Sequence, residues 1–282
     1  MDIILKSDAE CNIGSPAAAF AIITAMNVLI TGASSGIGEA IAIECAKRGD
    51  TLFLCGRNPE RLEAVAGRCR ELGSPAVSTE ILDVADEAAT RDWVTRCDAA
   101  APLERVFSNA GVGAGVETEA NSRRTWATNV NGNLNVVLPV IDLFRKRPDA
   151  PLRQILITAS IAGYGPLATC PAYSGSKAAM KTWALALRGM LKKEGIRVNA
   201  ICPGFVRSRL TEKNTCPMPF LMDADKAARI ILSRADRNVG MIAFPWPMRL
   251  ATWWLSTLPY RLNELINAFL PAKTTNTTPT PF

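Results

Sequence analysis

From Met26 onward, short apolar runs alternate with longer amphipathic stretches, and this alternation leaves few folds open to the chain. The apolar runs are Val28–Thr31, Thr51–Cys55, Ala76–Leu82, Arg105–Ser108, Gln154–Thr158, Arg197–Ile201 and Met241–Phe244. Between them lie segments of helical character, among them Gly36–Arg48, Pro59–Leu72, Ala85–Ala99, Arg123–Arg145 and Tyr173–Glu194. A parallel neighbour can be reached only by a crossover, so strands separated by helices of this length form βαβ units. The pattern predicts an α/β protein, a single doubly wound Rossmann-type fold of about seven parallel strands with helices on both faces. A hydrophobic C-terminal helical extension follows it. The boundaries read as a leader over 1–25, a Rossmann domain over 26–244, the extension over 245–273 and a Thr/Pro-rich disordered tail over 274–282. Asp2, Asp8 and Glu10 oppose the basic start of a secretory signal, and Met26, directly before the first strand, is a second candidate start.

Composition removes several function classes. The 282 residues are 48% hydrophobic and 21% charged, which suits a folded globular protein. The net charge of +6 is scattered along the chain, so no nucleic-acid partner is expected. The chain has no histidine, which excludes Ser-His-Asp and Cys-His catalysis and leaves tyrosine, lysine and carboxylates as acid/base candidates. Its eight cysteines form no C-x-x-C pair, so no metal site is expected. They read instead as buried thiols of a reducing, cytoplasmic setting.

The first strand runs into Thr31-Gly32-Ala33-Ser34-Ser35-Gly36-Ile37-Gly38, where a helix opens. Gly32 allows the tight turn, Gly36 the approach of a pyrophosphate to the backbone, and Gly38 close packing of helix on strand. The helix N-terminus then offers free N–H groups and a positive dipole to phosphates. Further on, Tyr173 and Lys177 lie four residues apart, on one face of a helix. A phenol titrates near 10, and a neighbouring ammonium favours its ionised form, so Lys177 is expected to lower the pKa of Tyr173. Ser160 stands just past the fifth strand, at the carboxyl edge of the sheet where ligands sit.

In this order the segments resemble the short-chain dehydrogenase/reductase family, whose cofactor loop reads T-G-x-x-x-G-x-G. The resemblance runs from about Asn27 to Thr211 and includes Asn109-Ala110-Gly111 after the fourth strand, Asp83 after the third, and Pro203-Gly204-Phe205-Val206-Arg207-Ser208 after the sixth. It implies an NADP- or NAD-dependent enzyme that interconverts a carbonyl and an alcohol on a small molecule, assembled as a homodimer or homotetramer. By the resemblance Tyr173 is the general acid/base, Ser160 holds the substrate oxygen, Lys177 also holds the nicotinamide ribose, and Asn129 binds a relay water. Asn131 and Asn133 are nearby alternatives to Asn129, read as structural. The cofactor would be held by Gly32, Ser34, Ser35, Gly36, Ile37, Gly38, Asp83 on the adenine, Asn109, Ala110, Gly111, Tyr173, Lys177, Pro203, Gly204, Val206 and Ser208. At the end of the second strand, Gly56 replaces the acid that binds a ribose hydroxyl in NAD enzymes, and Arg57 follows. That exchange removes repulsion against a 2′-phosphate and adds a cation for it, so NADP(H) is expected over NAD(H).

Beyond Thr211 the resemblance gives little. Trp246, Trp253 and Trp254 are three of the six tryptophans, interleaved with leucines and with Arg249 and Arg261. Such a segment suits a lid over an apolar substrate, a dimer contact, or an amphipathic helix at the inner face of a membrane. All three stay open, and an apolar substrate is expected. A non-catalytic NADP-binding sensor or membrane-associated scaffold is the alternative to an enzyme, though it would not need Ser160, Tyr173 and Lys177 together. A sugar-nucleotide epimerase would carry G-x-x-G-x-x-G and a longer C-terminal domain, and the chain has neither.

Overall fold

A computed structural model describes residues 25–113, 117–212 and 217–268. The proposed leader and tail therefore lie outside the described residues, apart from Ala25 in the former. Seven strands form one parallel sheet in the order β3-β2-β1-β4-β5-β6-β7. They are β1 Asn27–Thr31, β2 Thr51–Gly56, β3 Val77–Ile81, β4 Arg105–Ser108, β5 Gln154–Thr158, β6 Arg197–Pro203 and β7 Met241–Phe244. The doubly wound architecture expected from the alternation is the observed one, and strand order reverses between β1 and β4. At that switch point the connecting loops diverge and leave a crevice at the carboxyl ends of the strands.

Helices α1 Gly36–Ala46, α2 Pro59–Glu71, α3 Glu87–Ala100, α4 Glu119–Trp126 and α5 Gly132–Arg145 cover the first half of the sheet. The rest are α6 Pro171–Leu191, a short α7 Arg209–Glu212, α8 Ala224–Asp236, α9 Trp246–Thr257 and α10 Tyr260–Ala268. Successive strand residues point to opposite faces, so each face has its own core. Leu29, Val106 and Ile155 join α3, α5 and α6 on one side, while Val28, Ile30 and Leu52 join α1, α2 and α8 on the other. Helix α8, absent from the segments singled out in the sequence, packs Ala227, Ala228, Ile231, Leu232 and Ala235 inward at helical spacing. Local signals start several helices. The Asn58 side chain accepts from Arg61 N, Asp86 from Ala89 N, and Pro171 occupies the first turn of α6, where its missing N–H costs nothing.

The sequence pattern suggests one helix over Arg123–Arg145. The structure breaks it into α4, a π-turn Ala127–Asn131, and α5. A π-turn inserts one residue into the helical ladder, and such turns concentrate at functional sites. This one carries Asn129.

At the amino edge of the sheet, away from the crevice, a buried polar network ties β4 to α8. Arg105 is almost fully buried; its Nε donates to Gln154 Oε1 (2.8 Å) and its Nη2 to Asp236 Oδ1 (2.9 Å). Gln154 Nε2 in turn donates to Asn199 Oδ1 and to the Ala235 carbonyl. Removing one partner of a buried pair strands the other, although Asp236 keeps Arg48 at 3.0 Å. Arg105→Met is expected to lower unfolding free energy by about 2–3 kcal/mol in urea titrations, and to leave cofactor affinity unchanged because the network is remote from the crevice.

Candidate active site

Thr31, the last residue of β1, organises the floor of the crevice. Its Oγ1 accepts from Asn109 N (2.9 Å) and Ala110 N (3.0 Å), while Asn109 Nδ2 donates to the Thr31 carbonyl (3.1 Å). Asn109 Oδ1 then accepts from Thr158 Oγ1 (3.2 Å) at the end of β5. The ends of β1, β4 and β5 are thereby locked at one level. Above them the glycine loop folds tightly. Gly32 has φ +67°, and a Cβ there would come within 2.9 Å of Ala110 Cα. At Gly36, φ +62°, a Cβ would meet Ser208 Cβ at 2.9 Å. A side chain at either position would fill the space in which a phosphate could approach the loop.

An open cleft of about 270 Å³ runs along these strand ends. Its walls include Gly32, Ser34, Ser35, Gly36, Ile37, Arg57, Asp83, Asn109, Ala110, Gly111, Ser160, Tyr173, Lys177, Pro203, Gly204, Val206 and Ser208. Two residues of the expected set stand behind the wall. Gly38 packs α1 onto the loop, since a Cβ there would lie 2.3 Å from the Gly32 carbonyl oxygen. Asn129 is fully buried: its Oδ1 accepts from Val112 N (2.8 Å) and its Nδ2 donates to the Val112 carbonyl and to Ser176 Oγ, both at 3.1 Å. Asn129, to which the resemblance assigns a relay water, thus spends both carboxamide N–H groups on protein. Asn133 serves the same frame, donating to the Asn129 carbonyl and accepting from Ser108 Oγ, each at 2.7 Å.

The cleft also brings in residues the sequence did not single out, notably Arg61, Thr128, Thr158 and Thr211. Thr158 ends a strand at the carboxyl edge, which is a readable signal. Ser176 gave none, because its bond to Asn129 depends on the π-turn.

At one end of the cleft, Ser160 opens the 3₁₀ turn Ile161–Tyr164, its hydroxyl accepting from Ala162 N. That turn lies directly on α6: a Cβ at Gly163 would be 2.6 Å from the Lys177 carbonyl carbon and 2.7 Å from Ala178 N. Only a glycine permits the contact, and the contact brings Ser160 beside Tyr173. Lys177 is buried, its Nζ donating to the Thr158 carbonyl (2.9 Å) and lying 5.9 Å from the centre of the Tyr173 ring. Burial lowers the Lys177 pKa to about 8. Burial also raises that of Tyr173, with the Ser160 hydroxyl pulling the other way. The lowered phenol pKa expected from the Tyr–Lys spacing is therefore not found; loss of water outweighs the Ser160 hydrogen bond, and the ammonium is turned toward Thr158. At the other end, Gly56 lies against Ser34, whose Oγ would be 2.9 Å from a Cβ, so an acidic side chain would have to displace it. Arg57 pairs with Asp83 at 3.6 Å, both half-exposed.

The lowered lysine pKa bears on stability. A base whose pKa falls on folding makes the folded state less stable while it is charged, and the penalty fades as pH rises past the folded value. Wild type is expected to gain stability relative to Lys177→Met between pH 8 and 10.5, the interval between its folded and ordinary values. At pH 7 the variant should be the more stable, by roughly 3 kcal/mol, and above pH 10.5 that advantage should be gone, in urea titrations at the two pH values.

Known proteins share the fold that carries this cleft. The model of the short chain dehydrogenase family matches residues 26–217. An uncharacterized oxidoreductase of Myxococcus xanthus is 37% identical over 251 residues, covering 85% of this chain and 94% of that protein. Among solved structures, a short-chain dehydrogenase from Sphingobium yanoikuyae in complex with NADPH superposes with a TM-score of 0.73 at 26% identity, over 89% of this chain and 99% of that one. A bulky-bulky ketone specific alcohol dehydrogenase from Comamonas testosteroni gives 0.70 at 26% identity, over 86% and 91%.

Proposed function

This chain belongs to the short-chain dehydrogenase family, an oxidoreductase that uses a nicotinamide cofactor, and we propose that it interconverts an apolar ketone or aldehyde with its alcohol using NADP(H). The observation that carries this reading is the grouping of Tyr173, Ser160 and Lys177 at one end of a cleft whose other end offers Arg57 and no carboxylate at position 56. When bound, the cofactor supplies or accepts the hydride at the carbonyl carbon.

Tyr173 is the proton donor in the reducing direction. Its raised pKa keeps the phenol protonated at neutral pH, the form required to meet the developing alkoxide. Ser160 donates to the same oxygen and stabilises its charge. Lys177, whose pKa burial lowers to about 8, steadies the end of β5 through Thr158 and holds the cofactor ribose. Asn129 acts indirectly, fixing Val112 and Ser176 beside the lysine. The glycine loop holds the pyrophosphate, and Asp83 the adenine. Arg57 binds the 2′-phosphate, with Arg61 one helical turn further on.

An apolar substrate is favoured by Ile161 and Met248, which flank Gly204 so closely that a Cβ on it would lie 3.3 and 3.2 Å from their side chains. The bulky-ketone specificity of the Comamonas relative supports a ketone among the substrates.

Tyr173→Phe should lower turnover by about 10²–10⁴-fold, as for a lost general acid, while NADPH still binds in a fluorescence titration. A wild-type protein that binds NADPH but oxidises it with no ketone or aldehyde of any chain length would instead favour a cofactor sensor. Arg57→Ala should weaken NADPH binding roughly tenfold or more, the value of one charge-assisted hydrogen bond, and leave NADH binding unchanged. Equal loss for both cofactors would refute the role given to Arg57.

A further inference from the structure

Helix α9 is amphipathic with its more apolar side turned outward. Trp246, Leu250, Trp253 and Trp254 recur at the spacing of one helix face, and all are exposed, Trp246 by 73%. Leu262 and Leu265 of α10 are exposed as well. The opposite side of α9 turns to the protein: Met248 packs against the core, and Thr252 and Leu255 are half-buried. Scattered apolar residues on a surface need no explanation, but a stripe of three indoles and three leucines on two successive helices does.

The charges beside the stripe identify what covers it. Arg249 and Arg261 are exposed, α9 carries no carboxylate, and Glu264 is the single acid of α10. Pressing this face onto a second copy would bring like charges together and would dry the indole N–H groups without giving them acceptors. An anionic bilayer surface offers the opposite conditions. Phosphates meet the guanidinium groups, acyl chains take the leucines and indole rings, and the wet headgroup layer accepts the N–H groups. No helix among the described residues is long and apolar enough to cross a membrane, so contact of this kind lies in the plane of the surface.

We propose that α9 and α10 dock the protein onto the surface of a bilayer containing anionic phospholipid, with the Trp246–Leu250–Trp253–Trp254 stripe inserted at the interface. The docking helix is rooted at the cleft. Pro245 and Met248 at its start lie against Gly204, and the Tyr164 hydroxyl, beyond Ser160, donates to Met241 Sδ on β7, the strand that leads into α9. Lipid contact is thereby coupled in space to the loop that carries Ser160, whatever substrate the cleft takes.

The test is flotation of the full chain with vesicles of phosphatidylcholine, alone or mixed with phosphatidylglycerol. Wild type should float with the mixed vesicles and less with the neutral ones, and its tryptophan emission should shift to the blue on mixing. Trp253→Glu with Trp254→Glu should reduce binding at least about tenfold while NADPH binding persists as the mark of an intact fold. Arg249→Gln with Arg261→Gln should abolish the difference between the two vesicle types. Three outcomes would overturn the proposal: wild type that neither floats nor shifts its emission with mixed vesicles, a double variant that floats undiminished, or sedimentation showing that the double substitution splits a wild-type oligomer. The readouts need no turnover, so they stand apart from the chemistry assigned to Tyr173.

Discussion

The crevice depends on Asn109. Its backbone N–H and its carboxamide nitrogen both bond to Thr31, and its carboxamide oxygen takes the Thr158 hydroxyl, so one side chain joins the ends of β1, β4 and β5. Thr158 then receives Lys177 Nζ on its carbonyl. A continuous chain of bonds therefore runs from the glycine loop to the lysine across the point where strand order reverses. Each link is worth only about 1 kcal/mol net, but leaving a buried polar group unpartnered costs more, so the links hold or fail together. The same side chain limits its surroundings: a Cβ at Gly38 would sit 2.7 Å from Asn109 Nδ2. The second and third glycines of the loop differ for this reason. Gly36 keeps space open for a ligand, and Gly38 lets α1 approach the loop closely enough for Asn109 to reach Thr31.

The sheet and much of the cleft were legible because they follow from short-range rules. A strand buried on both faces must be an apolar run, and the crossover of a βαβ unit must be long, so alternation alone located seven strands within about two residues of their observed limits. Strand ends then located the loops, and the loops carried Gly32, Gly36, Asn109, Ser160 and Pro203 to one edge. What the sequence hid was decided by tertiary contact. The apolar spacing of Arg123–Arg145 is that of one helix, and although Thr128, Asn129, Asn131, Gly132 and Asn133 are weak helix formers, nothing in them specifies a π-turn; the turn exists where Asn129 reaches across to Val112 and Ser176. Nor could the spacing of Tyr173 and Lys177 reveal that the ammonium is drawn to a carbonyl on β5. Spacing reports which side chains share a face, and it is silent on how much water the fold removes from them.

That removal of water gives the site its character. Burial acts on Tyr173 and Lys177 in opposite directions, raising one pKa and lowering the other, and in both cases it favours the neutral form. A phenol held protonated is poised to give its proton to an oxygen gaining charge. A lysine near pKa 8 lies close enough to neutrality to lose or regain a proton with little free energy. In the proposed reaction the pair would suit reduction, while oxidation of an alcohol would require the phenol to be ionised first. Gly163 is what makes the arrangement dry, because its missing side chain lets the Ser160 turn close down on α6. The same closure that shifts both groups holds the lysine against a carbonyl rather than a carboxylate, a loss of stability that the proposed proton transfer would explain.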